Sequence, residues 1–265
     1  MTGVQTCALP ISLVASRGAR VVLGVPSALR RLMSSLAGIE AVVAQAPLPK
    51  FDGHCPLLSL PLAFETELAN IPASIPYLHA DQADRARWHG RLDPHFPLHV
   101  GLAWSGRESH TNDRNRSIAL ETLLPLMRDD VEWVTVQKEI RASDMPVLAA
   151  ARVRRFGEGL IDFADAAALL TELDLVITVD TAIAHLAGAL GKPVWILLPH
   201  VADWRWMQER DDSPWYPTAR LFRQRSVGDW AGVIEQVAEE LCGFCRQDCA
   251  RSRPLNAPAS LARSA

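Results

Sequence analysis

Short apolar runs rich in β-branched residues alternate along this chain with stretches whose apolar positions recur at helical spacing. Residues 20–25, 41–44, 55–60, 98–104, 131–136, 175–179, 194–198 and 221–222 read as strands. Helical patterns follow at 26–36, after Pro61, near Trp88, and at 118–127, 144–151, 163–173, 181–190 and 230–241. Pro26 sits where the first turn of a helix accepts a residue without an N–H, and Gly191 stands where a helix closes with a left-handed residue. Continuously apolar strands separated by helices predict an α/β protein whose parallel sheet is covered on both faces.

The polar connections change this picture into a site. In such sheets ligands lie beyond the carboxyl ends of the strands, so the residues after each strand are the candidates. Asp180 follows the strand at 175–179, and Thr181 and Ala182 open the next helix, whose free N–H groups suit an anion. His185 lies four residues after Thr181, on the same helix face, and Gly188 permits close approach of the helix. An N-cap role for Asp180 and a buried role for His185 are the competing structural readings. The loop at 105–117 carries Ser105, Gly106, Arg107, Arg114 and Arg116, with Glu108 and Asp113 available to neutralise them. Lys138 follows the strand at 131–136. Cations converging on one sheet edge predict a phosphate-bearing ligand. Neither G-x-G-x-x-G nor G-x-x-x-x-G-K-[ST] occurs, which argues against dinucleotide and P-loop chemistry. Trp204, Trp206 and Trp215 cluster after the strand at 194–198, either as a rim that stacks on a ligand or as loop packing.

Composition narrows the class further. The chain has 265 residues, of which 49% are hydrophobic and 22% charged, and 27 Lys and Arg stand against 30 Asp and Glu. A formal charge of −3 argues against nucleic-acid and membrane-surface partners. No apolar run is long enough for a transmembrane segment, and a cytoplasmic location is expected. Cys242, Cys245 and Cys249 form C-x2-C-x3-C without a fourth ligand nearby, so unliganded thiols and no metal are expected.

Two features bear on domain organisation. The opening MTGVQTCALPI, residues 1–11, reads as translated sequencing-adapter DNA and is set aside as an artefact. Residues 12–80 then form a partial first domain, 81–97 a charged linker, 98–241 a complete second domain, and 242–265 a disordered tail.

The stretch from Leu175 to Trp195, with Asp180-Thr181 followed by His185-Leu186-Ala187, resembles the D-T-x-x-x-H-L-A motif of the heptosyltransferase-like glycosyltransferases of family 9. Phe51-Asp-Gly-His-Cys-Pro-Leu-Leu-Ser-Leu-Pro61, Val100-Gly-Leu-Ala-Trp-Ser-Gly106, Asn112-Asp-Arg-Asn-Arg-Ser117 and Ser213-Pro-Trp-Tyr-Pro-Thr218 extend the likeness to bacterial tetratricopeptide-repeat proteins carrying such a domain. The resemblance implies a GT-B architecture, two Rossmann-like domains with a nucleotide-diphosphate sugar between them, the first domain incomplete here. It implies inverting, metal-independent transfer to a protein, glycan or lipid-core acceptor, with the nucleotide sugar as co-substrate and no cofactor. Asp180, Thr181 and His185 would touch the donor, and Arg114, Arg116 and Lys138 would steady its diphosphate. Glu65 departs from the pattern, standing where relatives have Gly in F-G-T. The general base is expected in a segment preceding this chain, so donor binding without turnover is the expectation, and no catalytic residue is assigned. A non-catalytic nucleotide-binding or scaffold module, and a GT-B nucleotide-sugar epimerase, remain the alternatives.

Overall fold

The computed structural model describes residues 10–44 and 48–251, with side chains to Arg246. The chain begins with α1 (Ile11–Ser16) and a parallel strand pair, β1 (Val21–Gly24) and β2 (Ile39–Val43), joined through a 3-10 turn and α2 (Arg30–Met33). Then come α3 (Leu60–Ala63) and α4 (Gln82–Trp88). The larger part follows as β3 (His99–Ala103), α5 (Asp113–Arg116), α6 (Leu120–Leu123), β4 (Glu132–Thr135), α7 (Met145–Ala150), β5 (Val153–Arg155) and α8 (Phe163–Glu172). It closes with β6 (Leu175–Val179), α9 (Ala182–Ala189), β7 (Val194–Leu198), β8 (Ala219–Arg223) and α10 (Trp230–Arg251).

The six strands of the larger sheet are all parallel, in the order β5-β4-β3-β6-β7-β8. From β3 the chain winds outward to β5, then returns to lay β6 on the other side of β3. The order therefore reverses between β3 and β6, and the crevice of a doubly wound sheet opens at that switch point. Period-two alternation divides each central strand between two cores. Val100, Leu102, Trp133, Leu175, Ile177 and Val179 meet α10 through Val233, Ile234 and Val237. Ala103, Val134, Val176 and Ile196 face α8 and α9, and this core continues into the first lobe through Leu23, Leu29, Leu32 and Met33.

The α/β reading and parallel sheet stand, while several boundaries move. The expected strand at 55–60 is a 3-10 turn at Leu57–Ser59 running into α3, because Pro56 and Pro61 bracket the run and Pro61 suits a helix start but cannot pair in a sheet. β5 escaped notice because only Val153 is buried, Arg154 and Arg155 being exposed. Ile11, assigned to the artefact, is buried in the core beneath β1, whereas residues 1–9 lie outside the described residues. The stretch read as a linker contains α4, whose Trp88 is 2% exposed. The stretch read as a tail from Cys242 is helical to Arg251, because Leu241 and Cys245 continue the apolar stripe of α10. Residues 252–265 and the Cys249 side chain lie outside the described residues. No described helix is long and apolar enough to cross a membrane.

The lobes are tied by charge as well as by core. Arg31 of α2 binds Asp84 of α4 at 2.6 Å, Asp162 at 3.0 Å and Asp165 at 3.4 Å. Arg87 of α4 reaches Asp165 at 2.8 Å and also pairs with Asp84. Asp162 is the N-cap of α8 and Asp165 completes its capping box, so the same carboxylates start a helix and hold the first lobe against the second.

Glu65 has φ 48°, a left-handed conformation. The backbone there takes a conformation that glycine adopts freely, and this chain accepts the strain of a side chain in it.

Candidate functional site

Two hollows open at the switch point. The larger, of about 540 Å³, is lined by Ser105, Gly106 and Arg107 after β3, Gln137, Lys138 and Glu139 after β4, Leu160 to Phe163 after β5, and Thr181 to Ile183 at the start of α9. Ala28 is the first lobe's contribution among the described residues. The smaller, of about 230 Å³, is lined by Asn112, Asn115, Asp180, His185, Asp203 and Arg205 among others. His110 and Arg116 belong to the walls of both.

Arg116 is the centre of this arrangement. It is 3% exposed and donates from Nη1 to the Asp180 carbonyl at 2.7 Å, which ties the loop after β3 to the tip of β6. Its Nε makes no hydrogen bond among the described residues, and Asp113 stands 3.9 Å away. A buried guanidinium with a spare N–H beside two hollows is an anion-binding arrangement. Gly106 is required for it, because a Cβ there would lie 2.5 Å from Arg116 Nη2. The loop is held by a chain of bonds: Gly106 N–H to Ser117 Oγ at 3.0 Å, Ser117 hydroxyl to Asp113 at 2.7 Å, and Arg141 to Asp113. Gln137 accepts the Trp104 and Ser105 N–H groups at 2.9 and 3.2 Å and donates to Ser105 Oγ at 3.2 Å, fixing the other end.

Thr181 rather than Asp180 caps α9, its hydroxyl accepting from the Ile183 N–H at 3.3 Å. Asp180 is therefore free of the capping role and lines the smaller hollow. Burial raises its carboxyl above the ordinary value, opposed by the Trp206 indole N–H and the Arg116 guanidinium. His185 is 1% exposed, stacked on Trp206 with centroids 5.0 Å apart, and its Nδ1 lies 3.2 Å from the Tyr216 hydroxyl. Burial pushes its pKa down to about 3, so the imidazole is neutral and contributes no cation to the site. Gly188 makes its close approach to the Tyr216 ring, not to the sheet, since a Cβ would lie 2.4 Å from Tyr216 Cγ.

Ser105, Gly106, Arg116, Lys138, Thr181 and Ala182 thus meet at the larger hollow, and Asp180 and His185 join Arg116 at the smaller. Lys138 donates to the Ile161 carbonyl at 3.0 Å on the rim. Arg114 is exposed and lines neither hollow, because its neighbour Arg116 takes the inward face of the short α5. Of the tryptophans, Trp206 and Trp215 are core, while Trp204 is 58% exposed with Arg205 over its ring.

Sequence reasoning missed the apolar wall of Leu160, Ile161 and Phe163, which follows the unrecognised β5. It also missed His110, Asn112, Asn115, Asp203 and Arg205. Gln137 and Glu139, on either side of Lys138, could have been found by reading every residue after β4 rather than the cation alone.

Comparison with known proteins bears on the family resemblance and the fold. Residues 158–198, from the turn before α8 to the end of β7, match the model of glycosyltransferase family 9 (heptosyltransferase). Protein FlbA of Caulobacter vibrioides is 28% identical over 180 residues, covering 65% of this chain and 30% of that protein. The chain thus spans about a third of the curated relative it matches. Escherichia coli ADP-heptose LPS heptosyltransferase II superposes with a TM-score of 0.61 at 14% identity, over 94% of this chain and 97% of that one. A family 9 glycosyltransferase from Veillonella parvula gives 0.59 at 12% identity, over 93% and 95%. Escherichia coli heptosyltransferase WaaC with ADP gives 0.57 at 12% identity, over 94% and 97%. The resemblance read from the D-T-x-x-x-H-L-A motif is borne out, and the fold is the α/β architecture of the GT-B heptosyltransferases.

Proposed function

We propose that this chain binds a nucleotide-diphosphate sugar, nucleoside in the larger hollow and sugar in the smaller, and serves a glycosyltransferase that transfers that sugar to an acceptor hydroxyl. The observation that carries this reading is Arg116: a buried guanidinium, seated on Gly106 beside the N-terminus of α9, with a spare N–H and one hollow on either side. A diphosphate laid across it would meet fixed positive ends on both sides, and a site built this way stabilises charge as it develops on a departing diphosphate. The apolar wall of Leu160 and Phe163 suits the flat face of a base, and Asp180, Asn112, Asn115 and Asp203 suit sugar hydroxyls.

In the inverting, metal-independent reaction we infer, the acceptor oxygen attacks the anomeric carbon while the bond to the diphosphate breaks on the opposite face. The acceptor proton must pass to a base, and the smaller hollow, where the sugar would sit, holds two carboxylates, Asp180 and Asp203. Both come from the second lobe. The first lobe, where an acceptor-side base is expected, brings only Ala28 to the larger hollow among the described residues, so we keep donor binding without turnover as the reading for the present chain. The match of residues 158–198 to a transferase family favours this reading over a scaffold or an epimerase.

Calorimetric titration with ADP, GDP, UDP and CDP tests the proposal. At least one should bind the wild type, and Arg116→Ala should weaken it by about tenfold or more. Undiminished binding by that variant, or no binding by the wild type, overturns the reading.

A further inference from the structure

We propose that His110 is a ligand-binding residue that holds a hydrogen-bond donor, its Nε2–H, on the diphosphate at the seam between the two hollows. The inference rests on the donor-site reading above and adds a residue and a protonation state to it.

The geometry is specific. His110 and Arg116 are the two polar side chains common to both walls. A ligand that spans both hollows must pass them. The backbone fixes His110 on either side: its N–H donates to the Arg107 carbonyl at 3.0 Å, and its carbonyl accepts from the Asp113 N–H at 2.9 Å. Its ring is fixed as well, because the Asn112 N–H donates to Nδ1 at 3.2 Å. A nitrogen that accepts an N–H carries no proton, so the neutral ring keeps its proton on Nε2. Such a ring donates at Nε2, and its one basic nitrogen, Nδ1, already accepts the Asn112 N–H and so offers no free lone pair to an acceptor hydroxyl. His110 is therefore a donor to an anion and not the missing base.

The surroundings favour the neutral form. Burial and the Arg116 guanidinium hold the imidazole below its ordinary value, against Asp113 on α5 and Asp203 on the loop after β7; Arg107 and Glu108 are the charged neighbours on its own loop. A second cation beside Arg116 would bind any anion less selectively, whereas a fixed neutral donor asks for an oxygen at one position.

Three substitutions separate the donor from the turn it sits in. Gln at position 110 can place an amide N–H near the Nε2 position. Asn can accept the Asn112 N–H but is too short to reach further, and Ala does neither. Calorimetry on the whole chain, using the best-binding nucleoside diphosphate and its monophosphate, should show His110→Ala and His110→Asn weakening the diphosphate about tenfold and the monophosphate less than threefold. His110→Gln should stay within threefold of wild type for both. Equal diphosphate affinity of wild type and His110→Ala overturns the His110 inference and leaves the donor site standing, provided Arg116→Ala still weakens binding. Rescue by Asn but not Gln shows a role in the turn alone and also overturns it. Absence of diphosphate binding by the wild type removes both proposals together. Titrations at pH 8 and pH 6 add a second reading: if the wild type tightens tenfold more than His110→Gln on acidification, the donor is an imidazolium and the neutral-donor inference fails.

Discussion

The two lobes use parallel strands to different ends. In the larger lobe, the central strands of a six-stranded sheet bury apolar side chains on both faces, and the loops beyond β3, β4 and β6 are held by buried polar bonds. The smaller lobe has one strand pair, shares its core with α8 and α9, and leaves Leu58, Leu62 and Leu68 exposed. Nearly all the site chemistry comes from the first of these. A doubly wound sheet with a switch point makes a crevice from backbone geometry alone, and a strand pair does not.

Matched substitutions put this contrast to the test. Gly188→Ala in α9 should cost about 3 kcal/mol in urea unfolding, because the new methyl would collide with the Tyr216 ring. Gly24→Ala in β1 meets open space and should cost under about 1 kcal/mol; equal losses would erase the difference between the lobes. At the joint, Asp165→Ala removes a fully buried carboxylate from Arg31 and Arg87 and a capping partner from α8. A loss of about 2 kcal/mol is expected, moderated by the partly exposed arginines, and limited proteolysis should then cut the smaller lobe first.

His185 gives a smaller effect with a defined sign. Its pKa is lowered to about 3 in the folded chain, against about 6.5 when unfolded, so its contribution is whole above pH 6.5 and is lost as pH falls toward 3. Between pH 6.5 and pH 5 the wild type should lose about 1 kcal/mol per pH unit more than His185→Gln. Parallel profiles would mean that the imidazole is not held neutral. Smallest of all, Leu62→Gln on the exposed side of α3 should change stability by less than about 0.5 kcal/mol.

What could be read in advance follows the same division. Continuous apolar strands such as 175–179 announce themselves because both faces are buried. Edge strands do not: β5 presents one buried residue, and its loss from the reading hid the apolar wall behind it. Asp180, Thr181 and Arg116 were found because position after a strand is itself the signal. Arg114 was included because composition cannot tell which arginine of a four-residue helix turns inward. The motif resemblance puts His185 at the donor, and spacing alone leaves a buried role open; its packing against Trp206 and Tyr216 comes from residues 21 and 31 positions later, which no local pattern contains. His110 went unread because a lone histidine in a loop carries no periodicity at all.

One carboxylate connects these themes. Asp162 starts α8 with Oδ1, receives Arg31 from the smaller lobe, and forms part of the floor on which the nucleoside would rest. Swinging the lobes apart would strip that oxygen pair of its guanidinium while the helix still draws on it. Whatever fills the larger hollow would therefore rest against the same carboxylate that fastens the two lobes together.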